Sequence, residues 1–122
     1  MASEIIVPGF ERNDERGLFR EILNSGDWQA MNWARMKPGS TLGDHYHKKT
    51  TLFLYLVTGS AGIKTVHIVN GQREEFELKA GQGVLFKPLE SHVIRFLEES
   101  EVIMLKSLKF DPADPDIYHH PV

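Results

Sequence analysis

The amino-acid sequence predicts an all-β barrel built from short strands, and three observations carry that prediction. Gly and Pro break the 122-residue chain at Pro8-Gly9, Pro38-Gly39, Gly59, Asn70-Gly71, Gly81 to Gly83 and Pro88, leaving pieces of strand length. One of those breaks, Asn70-Gly71 between KTVHIV and QREEFEL, is a strong hairpin signal, because both residues accept the positive φ of a two-residue type I′ turn. The run LFLYLV at Leu52 to Val57 packs aliphatic and aromatic side chains together, as a strand buried on both faces does.

Taken in chain order, each element has its own signal. EIIVPGF near the start is an apolar strand that would leave an exposed edge, so it is expected to pair with a second copy and make a homodimer. NSGDWQAMNW admits two readings, with Asp27 capping a short turn or QAMNWARM alternating as a strand. GDHYH reads as extended and leads into LFLYLV; the hairpin at Asn70-Gly71 follows. FELKAGQGVLFKP, HVIRFL and VIMLKSL supply the remaining strands. The tail DPADPDIYHHPV holds too many prolines for a regular element and is expected to pack over the barrel or a partner. No repeat or linker divides the chain, so a single domain over 1–122 is expected.

Composition narrows the function classes. Hydrophobic residues make up 41% and charged residues 25%, which is ordinary globular usage and not that of a disordered chain. A net charge of −3 supplies no basic face, so nucleic acid and anionic lipid are not expected as partners. With no cysteine there is no disulfide, thiolate nucleophile or thiolate ligand. MASEIIVPGF has no basic segment before an apolar run and no stretch approaches membrane-spanning length, so a cytoplasmic address is expected.

The chemistry-bearing residues are histidines. His45 and His47 lie one residue apart on an extended segment, so their side chains share a face while Tyr46 points away. His92 follows a Gly/Pro-punctuated segment further along. Three imidazoles meeting in one cavity suit a divalent metal or proton transfer. Alternation also turns inward Leu52, Leu54 and Leu56 on one strand and Ile94 and Phe96 on the strand of His92, giving the cavity an apolar wall. His67, His119 and His120 carry no such pattern and read as structural.

The run from Gly39 through His45, His47 and Gly59 to Pro88 and His92 resembles the cupin superfamily, whose motifs read Gly-x5-His-x-His-x4-Glu-x6-Gly and then Pro-x3-His. The resemblance implies a double-stranded β-helix, or jelly-roll barrel. Three positions depart from it: Leu52 stands where the motif has Glu, Phe96 where it has Asn, and Glu90 where the second motif has Gly. DERGLF at Asp14 to Phe19, Lys37-Pro38-Gly39, GDHYHKK at Gly43 to Lys49 and FDPADPDIY at Phe110 to Tyr118 are similar to cupins of nucleotide-sugar ketoisomerases and epimerases, including the cupin half of capsular-polysaccharide reductase/epimerases.

That likeness implies a small-molecule substrate and an isomerase or epimerase of a carbohydrate or nucleotide sugar. His45 or His47 is then the base that removes a proton α to a keto group, with Tyr55 or Tyr118 as acid. The cupin motif implies instead a divalent ion (Zn, Fe, Mn or Ni) held by His45, His47 and His92, although Leu52 donates nothing to it and the ketoisomerase likeness needs no obligatory metal. Leu42 stands where deoxysugar epimerases have a basic residue, which leaves Arg35, Lys37, Lys48 or Lys49 for phosphate. Two other classes stay open: a three-histidine dioxygenase of a small organic substrate, and a cupin that binds a small ligand without catalysis.

Overall fold

The computed structural model describes residues 3–122, and among these there are twelve strands and no helix. Ten strands form two five-stranded antiparallel sheets packed face to face. One sheet contains β1 (Glu4–Ile6), β9 (Gly83–Phe86), β6 (Leu52–Thr58), β11 (Ser100–Lys106) and β4 (Ala30–Met36), in that order. The other contains β12 (Tyr118–His119), β5 (Thr41–Tyr46), β10 (Glu90–Phe96), β7 (Ser60–His67) and β8 (Arg73–Lys79). β2 (Phe10–Asp14) and β3 (Gly17–Glu21) make a separate exposed hairpin. This is the all-β jelly-roll barrel expected from the sequence.

The core lies between the two sheets. Leu52, Leu54 and Leu56 from β6 meet Ala61, Ile63, Leu78, Ile94 and Phe96 from the opposite sheet, with Val84, Phe86 and Val102 beside them. Each side chain of this size contributes roughly 1.5–3 kcal/mol by leaving water. β6 is central in its sheet and buried from Leu52 to Leu56, as its unbroken apolar run predicts. The odd residues of that run, Phe53 and Tyr55, face the other way, where Trp28 tilts against Phe53 and Arg20 of β3 donates a hydrogen bond to Tyr55.

Three expectations change in detail. The β7–β8 hairpin exists, but its loop runs over five residues, 68–72, and only Gly71 has positive φ. The His67 and Gln72 backbones bond across it, and the Asn70 side chain accepts from the Gln72 amide, so Asn70 acts as a turn acceptor. The ambiguous segment is irregular up to Gln29 and a strand from Ala30. The N-terminal strand pairs with β9 of its own chain, Ile5 opposite Val84, which occupies one of its two edges.

Candidate functional site

The two segments that carry the site are neighbours because β5 and β10 pair, with His45 directly opposite His92. Alternation alone would put Leu42 and His45 on opposite faces of β5. Both nevertheless serve the interior, because the register shifts between His92 and Val93 and leaves Asp44 as an extra residue. Asp44 sits at φ +58 and Gly43 at φ +111, and a Cβ at Gly43 would run into the His92 carbonyl oxygen. The bulge re-aims His45 toward the cavity. The sequence signal for it was the Gly-Asp pair ahead of the first histidine.

The three rings form a triangle, with centroids 5.1 Å apart for His45 and His47, 5.0 Å for His45 and His92, and 5.8 Å for His47 and His92. One nitrogen of each lies within 4.8 Å of the others. His92 is 1% exposed and stacks on Phe86 at 4.4 Å. Two of the rings are tied down through Nδ1. His47 Nδ1 lies 2.7 Å from the Asp116 carbonyl oxygen and His92 Nδ1 lies 3.3 Å from that of Glu90. A carbonyl only accepts, so both Nδ1 atoms carry a proton and both Nε2 atoms are left for the cavity side. His45 hydrogen-bonds the Gly43 backbone.

Burial, with His45 and His47 close by, pushes the His92 imidazole down to about 3. Burial also lowers His45, helped by His47 beside it. These two rings are therefore neutral near pH 7, as a base or a metal ligand must be. Leu52 is a core residue, 4% exposed, so no carboxylate joins the cluster among the described residues. Across the strand from Leu52 stands Lys106 of β11. Val102 and Met104 pack toward the core, so period-two alternation turns Lys106 inward too. Its charge reaches His45, which it acts to hold neutral. A small hollow of about 30 Å³ beside His47 is bordered by Thr50, Lys106, Lys109 and Asp116. The larger groove, about 490 Å³ between Lys64, Arg95 and Glu77, contains none of these histidines.

The remaining sequence candidates fall elsewhere. Tyr55 is on the outer face of β6 beside Arg20, so the barrel wall separates it from the histidines. Tyr118 pairs with Tyr46, and the two rings stack at 5.3 Å with the Lys48 ammonium 4.3 Å from the Tyr118 centroid. Tyr46 faces away from His45 and His47, and Tyr118 goes with it. Neither tyrosine is placed to act as the acid. Lys49 bonds Asp114, and Arg35 lies over Trp33 on the outside of the barrel. Lys106 was legible in the alternation of VIMLKSL. Asp116 was not, since nothing in DPADPDIY distinguishes its three acids.

A family model described as the polysaccharide biosynthesis C-terminal domain matches residues 12–118. The chain belongs to this family. It is 26% identical over 110 residues to a UDP-2-acetamido-2,6-beta-L-arabino-hexul-4-ose reductase of Pseudomonas aeruginosa, covering 87% of this chain and 30% of that protein. The capsular polysaccharide assembling protein CapF of Staphylococcus aureus is 26% identical with a TM-score of 0.73, over 93% of this chain and 34% of CapF. The chain thus spans about a third of the length of these relatives. A 3,4-ketoisomerase from Helicobacter canadensis shares the fold at 19% identity, with a TM-score of 0.82 over 98% of this chain and 91% of the other. These likenesses agree with the cupin jelly roll that the histidine motif implied.

Proposed function

We propose that this cupin is an isomerase or epimerase of a nucleotide-linked keto sugar, with the histidine cluster as its proton-transfer site. One observation carries the reading: the His45, His47 and His92 rings converge with a nitrogen of each within 4.8 Å of the others, His47 and His92 are tied to backbone carbonyls through Nδ1 so that their Nε2 atoms are left free, and Lys106 borders the small hollow beside His47. A neutral imidazole can take the acidic proton next to a ketone and return it to the same carbon or its neighbour. His45 or His47 fills the base role. Lys106 supplies the positive charge that stabilises the enolate oxygen. The Pseudomonas relative, whose name describes a UDP-linked hexul-4-ose, supports a keto-sugar substrate, as do the ketoisomerase and epimerase names among the fold neighbours.

Incubation with UDP- and dTDP-linked 4-keto-6-deoxyhexoses, with NMR of the products, tests the reading. A new stereoisomer or a shifted keto group is expected; unchanged substrate in every case would overturn it.

The metal reading keeps one specific support, since His45, His47 and His92 bring three ring nitrogens within 4.8 Å of one another. They fit a divalent ion with solvent completing its shell, and a bound ion would polarise the keto oxygen. Leu52 and Lys106 weaken that site, one by withholding a carboxylate and the other by adding positive charge. We also propose a homodimer, because Phe10, Leu18, Phe19, Met31 and Trp33 are all at least half exposed. A sedimentation mass of one chain at micromolar concentration would contradict it.

A further inference from the structure

The tail from Asp116 onward lies along β5, and its contacts fall on the residues that aim the site. Asp116 is 6% exposed and adopts φ +54, a left-handed conformation that an aspartate takes up mainly where its side chain bonds locally. Its carboxylate accepts from the amides of Lys48 at 2.9 Å, Lys49 at 3.0 Å and Thr50 at 2.9 Å, and from the Thr50 hydroxyl at 2.8 Å. Its own carbonyl takes the Nδ1 proton of His47. One residue therefore grips the β5–β6 loop just after His47 and orients the His47 ring. Further on, the His120 amide donates to the Asp44 carbonyl, and the Val122 amide to the Asp44 carboxylate, in the bulge that turns His45 inward.

We propose that Asp116 is a positioning residue that sets the tautomer of His47, leaving Nε2 bare toward the cavity. The carboxylate fixes where the carbonyl sits, and the carbonyl fixes which ring nitrogen holds the proton. This rests on the reading of His47 as the base or ligand, because only then does a bare Nε2 matter. In a neutral imidazole free in water the Nε2–H form predominates, so the orienting carbonyl must reverse the ordinary preference. His92 provides an internal control, since its Nδ1 partner is the Glu90 carbonyl and not the tail.

Long-range proton–nitrogen correlation NMR of protein labelled with ¹⁵N-histidine, recorded without metal at pH 8, reads each tautomer directly. His47 and His92 are both expected as Nδ1–H. In Asp116→Ala the His47 nitrogens are expected to move toward the Nε2–H pattern while those of His92 stay put. Asp116→Asn keeps the shape but replaces one acceptor oxygen with a donor group, and is expected to give a mixed His47 pattern. It serves should the alanine variant fail to fold. A His47 that carries its proton on Nε2 in the unmodified protein, or one that remains fully Nδ1–H in both variants, would overturn the proposal. The readout involves neither substrate nor metal, so the expected tautomers with no turnover would count only against the isomerase reading.

Discussion

Lys106 stands directly across the strand pair from Leu52, so the position where the cupin motif has a carboxylate faces a cation. Leu52→Glu would put an anion between that cation and the three histidines. Without metal the buried carboxylate is expected to lower stability by roughly 1–3 kcal/mol, moderated by Lys106. With Zn²⁺ or Ni²⁺ the added donor should raise the melting temperature above that of the unmodified protein in the same metal. Thermal melts of both proteins with and without metal decide this. A variant that unfolds earlier even in excess metal shows that the cavity is not a metal site.

The neutral state of His92 makes stability depend on pH. Its folded pKa, about 3, lies below the ordinary 6.5, so between those values the unfolded chain binds more protons. The contribution is complete above pH 6.5 and is lost as the pH falls toward 3, amounting to on the order of 5 kcal/mol. His45, shifted in the same direction, adds to the trend. Denaturant unfolding at pH 8, 6 and 4.5 should show falling stability. His92→Gln should flatten the fall, and an equal slope in that variant would contradict the assignment.

Gly43 is where the bulge passes closest to β10. Gly43→Ala adds a Cβ against the His92 carbonyl at a backbone φ of +111 that L-residues avoid. Strain and collision together are expected to cost about 1–3 kcal/mol and to displace His45. The unfolding midpoint in urea measures the first, and loss of keto-sugar turnover the second. Unchanged stability would mean that the bulge is not needed to aim the ring.

Metal dependence follows by linkage. If the cluster holds a divalent ion in the folded state, adding Zn²⁺, Fe²⁺, Mn²⁺ or Ni²⁺ should raise the melting temperature and a chelator should reverse it. His92→Ala should remove the difference between the two conditions. Identical melts in metal and chelator leave proton transfer by the histidines themselves.

Much of the barrel was legible because its determinants are local. The run from Leu52 to Leu56 announces a strand buried on both faces, and the spacing of His45 and His47 announces a shared face. The pairing of His45 with His92 needed the cupin motif, since no local signal links residues 47 positions apart. Tyr55 was cast as an acid by the family likeness alone, against the alternation that turns Leu52, Leu54 and Leu56 inward. Once Leu54 and Leu56 fill the core, Tyr55 must point out toward Arg20. Tyr118 and Asp116 depended on the path of a proline-rich tail, which long-range hydrogen bonds decide.

Proton transfer to and from carbon by the histidine cluster is the central claim, and deuterium wash-in tests it most directly. The protein is incubated in D₂O with a nucleotide-linked 4-keto-6-deoxyhexose, and mass spectrometry with NMR locates any label. Deuterium is expected at a carbon next to the ketone, with His47→Gln and His45→Gln slowing incorporation by about 10²-fold or more for whichever is the base. Label entering no faster than in a protein-free control, or at an undiminished rate in both variants, would contradict the account.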